Sequence, residues 1–166
     1  MAPDELTRNL AGNRALAEAV GWDEHTKVDG EFVKRCVKKM FFEIDEDHAK
    51  LEAIINNILH GISSLEESKR SEHQKLFLTL KEQYGTKDIG LLFAFFFNLF
   101  RLKRGEAVII TPNEPHAYLS GDLVECMANS DNVVRGGLTP KLKDKETLYS
   151  MLPYETVDSG IHRGPT

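Results

Sequence analysis

Side chains able to do chemistry crowd into one stretch of the chain, residues 112–141, which reads PNEPHAYLSGDLVECMANSDNVVRGGLTPK. A histidine, a tyrosine, several acids, an arginine and a lysine lie there between turn signals. Ser120-Gly121 can reverse the chain between residues 116–119 and 122–127. Side chains alternate faces along a strand, so His116 and Tyr118 share one face. A two-residue hairpin loop at Ser120-Gly121 pairs Leu119 with Asp122, pairs Tyr118 with Leu123, and sets His116 opposite Glu125. The predicted face therefore carries His116, Tyr118, Leu123 and Glu125. A histidine facing a carboxylate can be a metal ligand beside a second ligand, or an acid–base group. It can also be a cross-strand pair that only stabilises the sheet, and spacing alone favours that plainer reading.

The same residues carry a family resemblance. The run NEPHAYLSGDLVECMANSDNVVRGGLTPK, with PHAY, GD-VEC, SDN-VR and LTPK in order, resembles the signature of type I phosphomannose isomerases. The similarity extends more loosely upstream to about Ile89, and as a helical pattern further back. It implies a cupin-type (jelly-roll) β-barrel with an inserted helical domain and a bound zinc ion. It also implies interconversion of mannose 6-phosphate and fructose 6-phosphate, feeding GDP-mannose metabolism in the cytoplasm. By resemblance, His116 is a zinc ligand, and Tyr118, Glu125 and Asp131 line the substrate pocket. Arg135 is the arginine important for catalysis, and Lys141 is the lysine of the TPK segment near it.

That chemistry fits these residue types. Aldose–ketose isomerisation moves a proton between adjacent sugar carbons and needs stabilisation of negative charge on the enediol oxygens. Zinc can polarise those oxygens as a Lewis acid. A guanidinium, always protonated, can stabilise the same charge, which suits Arg135. Glu125 could orient substrate or a metal-bound water, or shuttle a proton; the base itself stays unassigned.

Departures from the family pattern bear on this. The family's other zinc ligands are a Gln-x-His pair and a glutamate from strands before the helical domain. Here Gln74 and Gln83 are followed by Lys75-Leu76 and Tyr84-Gly85. The family's second cupin half, after the TPK segment, is also missing, and Arg135-Gly136-Gly137 stands where Arg-Ala-Gly is more usual, which loosens the backbone. The expectation is an internal piece of such an isomerase, holding one of the metal ligands and inactive alone, with missing barrel segments or another chain needed to complete it. The alternative is a non-catalytic, cupin-derived module that binds a sugar phosphate or serves as an interaction domain.

Composition narrows the setting. The chain has 166 residues, 41% hydrophobic and 28% charged, as in an ordinary globular protein. A net charge of −5 disfavours bulk attraction to nucleic acid or anionic membrane, so a phosphate must be held by a local cluster such as Arg135, Lys141 and Lys143. Cys36 and Cys126 suggest no disulfide framework and suit a reducing compartment. The start, MAPDELTRNL, lacks the form of a signal peptide. The apolar run IGLLFAFFFNLF, residues 89–100, falls short of the roughly 20 residues that cross a bilayer and reads as a buried segment.

The positioning elements divide as an α+β chain: a helical domain over 1–86, a partial cupin-barrel segment over 87–152, and a loose tail over 153–166. Residues 11–20 form a short helix stopped by Gly21. Asp29 caps a helix whose apolar stripe is Phe32, Val33, Cys36, Val37, Met40 and Phe41. Leu51, Ile54, Ile55, Ile58, Leu59 and Ile62 make the next stripe. Ser64-x-x-Glu67 reads as a capping box for a third helix closed by Gly85. His25, His48, His60 and His73 show no metal-pair spacing. Residues 89–97 finish as helix, 99–102, 107–111 and 133–135 read as strands, and 142–152 as a surface helix.

Overall fold

The computed structural model describes residues 1–129, 133–154 and 160–163. Its helices are α1 (Pro3–Ala11), α2 (Arg14–Val20), α3 (Gly30–Lys39), α4 (His48–Ser63), α5 (Glu72–Tyr84), the single turn α6 (Gly90–Phe93) and α7 (Lys145–Met151). A short strand β1 (Glu106–Val108) pairs antiparallel with β2 (Ile161–Arg163), so the fold is α+β. Among the described residues, no helix is long and apolar enough to cross a membrane.

Local signals set the helix ends. Pro3 opens α1, and Asp4 and Glu5 face the positive end of its dipole. Gly21, at φ 79°, takes the left-handed conformation that ends α2. The Asp29 carboxylate accepts from Phe32 N at 3.0 Å, as expected. The α3 helix then widens into a π turn, Met40–Ile44, which buries Met40, Phe41 and Ile44. The capping box is not at Ser64. Helix α4 runs on past Gly61, where an added Cβ would meet nothing within 4 Å, and the Ser64 hydroxyl donates back to His60 O at 2.9 Å. The box is Ser71 with Gln74, whose side chains each bond the other's backbone N–H at the start of α5.

One core collects Leu6 and Leu10 of α1, Leu16 of α2, Phe32 and Cys36 of α3, Leu51, Ile55 and Ile62 of α4, and Phe77 of α5. Burial pushes the Cys36 thiol up to about 12. Residues 89–96 are buried in this same core. Only Gly90–Phe93 of the run is helical, shorter than the helix expected over 89–97. Its later carbonyls are satisfied from elsewhere: Asn9 Nδ2 donates to Phe95 O at 2.9 Å, and His73 Nε2 donates to Phe97 O at 3.0 Å. Side chains from α1 and α5 thus supply bonds that a continuing helix would have made. The α7 helix lies on the surface, as expected, with one face packed on the core. Leu148 is buried, Tyr149 meets Phe42 edge-on at 5.6 Å, and Lys145 binds Phe41 O and the Asp45 and Glu46 carboxylates.

The strand expectations need correction. Among the described residues, 99–102 and 133–135 are not strands, and 107–111 contracts to β1. Residues 116–127 reverse direction without a ladder. Residues 161–163, expected in a loose tail, form the partner strand, with Glu106 opposite Arg163 and Val108 opposite Ile161. A strand forms only where another backbone takes its N–H and C=O groups, and alternation of side chains does not supply that partner.

Phe95, fully buried and 5.3 Å from the Phe77 ring, tests the core. Phe95→Ala should cost about 3–5 kcal/mol in denaturant unfolding; a loss below about 1 kcal/mol would contradict this packing. A thiol reagent at neutral pH should label exposed Cys126 in the folded chain and reach Cys36 only after unfolding. Equal labelling rates would contradict the burial of Cys36.

Candidate functional site

Two side-chain-locked turns deliver the histidine. At the first, the Glu106 carboxylate accepts from Lys103 N at 2.9 Å, and Gly105 sits at φ 83°. At the second, the Glu114 carboxylate accepts from Thr111 N and Thr111 Oγ1, both at 3.0 Å. Asn113 there takes φ 65°, a conformation asparagine tolerates. His116 Nδ1 then lies 3.0 Å from the Glu114 carbonyl oxygen. A carbonyl only accepts, so Nδ1 carries a hydrogen, and in the neutral ring the lone pair is then on Nε2. A neutral histidine in this tautomer can ligate a metal through Nε2.

The Tyr118 ring lies 5.6 Å from the His116 ring, tilted by 56°. Gly121, at φ 96°, allows the reversal, and Tyr118 OH donates to Glu125 Oε1 at 2.6 Å. The structure thus brings His116, Tyr118 and Glu125 into one cluster. The closest contact is Tyr118 with Glu125, a diagonal neighbour in the expected register, rather than His116 with the glutamate opposite it. This hydrogen bond, with some burial and the nearby negative charge, holds the Tyr118 phenol above its ordinary range.

Among the described residues, no hydrogen bond or ion pair joins Arg135 or Lys141 to this cluster. Arg135 is half-buried just before Gly136-Gly137, and Lys141 is exposed with its N–H donated to Thr139 Oγ1. Lys143 pairs with buried Asp45 at 3.7 Å, which leaves Arg135 and Lys141 from the expected basic cluster. Asp131 lies outside the described residues. Sequence reading missed Asp45; its signal was only an acidic residue at a helix end, and its partners Lys143 and Lys145 lie about a hundred positions later.

The cluster is open to solvent. Residues 116–129 are exposed, with Val124 at 96% and Leu123 at 52%. Two open clefts lie elsewhere: one of about 430 Å³ between Tyr84, Lys87, Asp88 and Pro140, the other of about 560 Å³ beside Phe42 and Lys145. The histidine chemistry outweighs cleft volume in locating the site, because neither cleft contains a nucleophile–base pair or a ligand set. His116 offers one nitrogen, and Glu125 offers a carboxylate with one oxygen already engaged. Among the described residues, no group of three or more His, Cys, Asp or Glu could hold a metal ion. A catalytic zinc takes about three protein ligands, so these residues by themselves do not make a zinc site.

No protein-family model matches the chain, and no solved structure does. Curated proteins do match. Mannose-6-phosphate isomerase 2 of Arabidopsis thaliana is 44% identical over 154 residues, which cover 91% of this chain and 34% of the relative. Mannose-6-phosphate isomerase of Bos taurus is 56% identical over 149 residues, covering 87% of this chain and 34% of the relative. The chain is a homologue of the mannose-6-phosphate isomerases. A third relative of that name, from Cryptococcus neoformans, is 46% identical over 125 residues, 74% of this chain and 29% of the relative. The mannose-6-phosphate isomerase homologue described here therefore spans about a third of the length of these curated relatives.

The raised phenol can be tested directly. Bonding to Glu125 favours the protonated phenol, so its contribution to stability is present below the ordinary tyrosine pKa and fades as pH rises through the raised folded value. Glu125→Gln should lower the pH at which Tyr118 ionises, read as tyrosinate absorbance against a Tyr118→Phe blank. An unchanged titration would contradict the bond.

Proposed function

We propose that this chain is part of a zinc-dependent mannose-6-phosphate isomerase, an aldose–ketose isomerase acting on a small sugar phosphate. The supporting observation is 44% identity over 91% of the chain to a relative of that name. In this reading residues 1–86 are the helical domain, 87–152 belong to a cupin-type barrel, and 153–166 are its tail. His116 contributes one zinc ligand through Nε2. The remaining ligands and strands come from further barrel segments or another chain. The free cysteines suit work in a reducing cytoplasm, with the product feeding mannose and GDP-mannose metabolism.

Within that reading, each residue has a chemical task. Arg135 stabilises the negative charge that develops on the enediol oxygens. Lys141 offers a compact cation to the substrate phosphate. Tyr118, Glu125 and Asp131 line the pocket. Because Tyr118 donates to one Glu125 oxygen, the second oxygen remains able to accept a hydrogen bond from a sugar hydroxyl. The full exposure of this cluster and its short ligand count favour one second reading: a non-catalytic module that binds a sugar phosphate.

Turnover of mannose 6-phosphate with added zinc separates the two. The chain alone should bind zinc weakly and show no enzyme-like rate. Supplying the part of the Bos taurus relative outside the matched region should restore turnover that His116→Ala abolishes. Robust turnover by the chain alone, lost in His116→Ala, would show the ligand count to be wrong. Sugar-phosphate binding without turnover after complementation would favour the module.

A further inference from the structure

Between Arg135 and Lys141 the chain makes a strained bend. Leu138 sits at φ 54°, in the left-handed region that a bulky side chain avoids. Such a conformation persists where surrounding contacts over-determine it, and these gather where geometry matters for function. Val134 and Leu138 pack against the core, and the polar contacts come from one side chain. Asp88 Oδ1 accepts from Gly90 N at 2.7 Å and from Leu138 N at 2.9 Å. The two backbones also touch: a Cβ on Gly137 would lie 2.7 Å from Gly90 Cα, and a Cβ on Gly90 would lie 2.8 Å from Leu138 N. Neither obstacle is a flexible side-chain tip, so both positions require glycine. Gly90 itself is buried at the start of the aromatic run, so this contact is fixed to the core.

We propose that Asp88, with Gly90, is a positioning residue that clips the bend at Leu138 to the helical core and thereby sets Arg135 and Lys141 on either side of it. The proposal rests on the isomerase reading for its functional consequence and on the clip's own geometry for its placement. One carboxylate oxygen with two N–H donors is a charge-assisted arrangement, about twice as strong as neutral hydrogen bonds. Removing it leaves Leu138 in a conformation it would otherwise quit, so the segment from 134 to 141 loosens on its apolar contacts while the helices stay packed. Asparagine keeps an Oδ1 acceptor at the same place and should largely preserve the clip.

Amide hydrogen exchange on the full 166-residue chain reads the placement. Asp88→Ala should speed exchange across 134–141 about tenfold or more, with little change in α4, while Asp88→Asn stays within about threefold of the unaltered chain. Gly90→Ala should reproduce the alanine result, and Gly61→Ala, which meets nothing, should not. If Asp88→Ala does not fold, Gly90→Ala carries the same comparison. No acceleration across 134–141, or equal acceleration in α4, overturns the clip. The functional consequence is read from the Arg135 guanidinium NMR signal during titration with mannose 6-phosphate, on the chain complemented with the part of the Bos taurus relative outside the matched region. Asp88→Ala should weaken that response and Asp88→Asn should retain it; equal responses overturn the positioning role. An Arg135 signal unmoved in the unaltered chain counts against the isomerase reading alone, and the exchange pattern still decides the clip.

Discussion

Burial of the aromatic run at residues 89–96 is the constraint on which the rest of the structure depends. Phe93 and Phe95 meet Phe41 and Phe77 at ring distances of 5.0 and 5.3 Å, and so join the π turn after α3 to α5. Hydrophobic transfer favours this burial, but its backbone carries polar groups that cannot be left unpaired. Asn9 and His73, both buried, take the Phe95 and Phe97 carbonyls. Asn13 and Gln74 extend the polar set, donating to Asn9 O at 2.7 Å and Gly12 O at 3.3 Å. Apolar packing and polar satisfaction therefore converge on one segment, and that segment leads on to the turns before His116.

Beyond the run, the balance changes. The chain leaves a dense core and enters a segment held by short side-chain-to-backbone bonds and one small sheet. Leu102, Ile109, Leu119, Leu123, Val124 and Met127 are exposed there. Apolar side chains at this density are costly to leave in water, which fits the isomerase reading, where further strands cover them. The helices need no such cover. The asymmetry explains how one chain combines a dense helical core with an exposed His116–Tyr118–Glu125 cluster.

Much of the helical half was legible because its determinants are local. The Leu51–Ile62 stripe, the Asp29 cap and the Gly21 stop each depend on residues within a turn or two. Helix α1 was missed because its apolar positions, Leu6 and Leu10, make too short a pattern to stand out. The β1–β2 pairing was not legible, since nothing within Glu106–Val108 names residues more than fifty positions away as its partner. Near His116, the reversal expected at Ser120-Gly121 is present and brings Tyr118 to Glu125. The Tyr118–Glu125 bond was missed because register arithmetic predicts opposite neighbours, whereas a loop without a ladder settles into whichever polar contact is shortest. Nothing local marks Asp88; its bond to Leu138, fifty residues on, is visible only in the fold.

The central claim is that this chain carries a dense helical core and one histidine ligand of an incomplete metal site. X-ray absorption at the zinc edge, on the chain loaded with one equivalent of zinc, tests it most directly. The account predicts a first shell of water and carboxylate oxygens with a single imidazole, the signature of His116 acting alone. A shell with two or more imidazoles, or with the longer zinc–sulfur distance of about 2.3 Å, would contradict it.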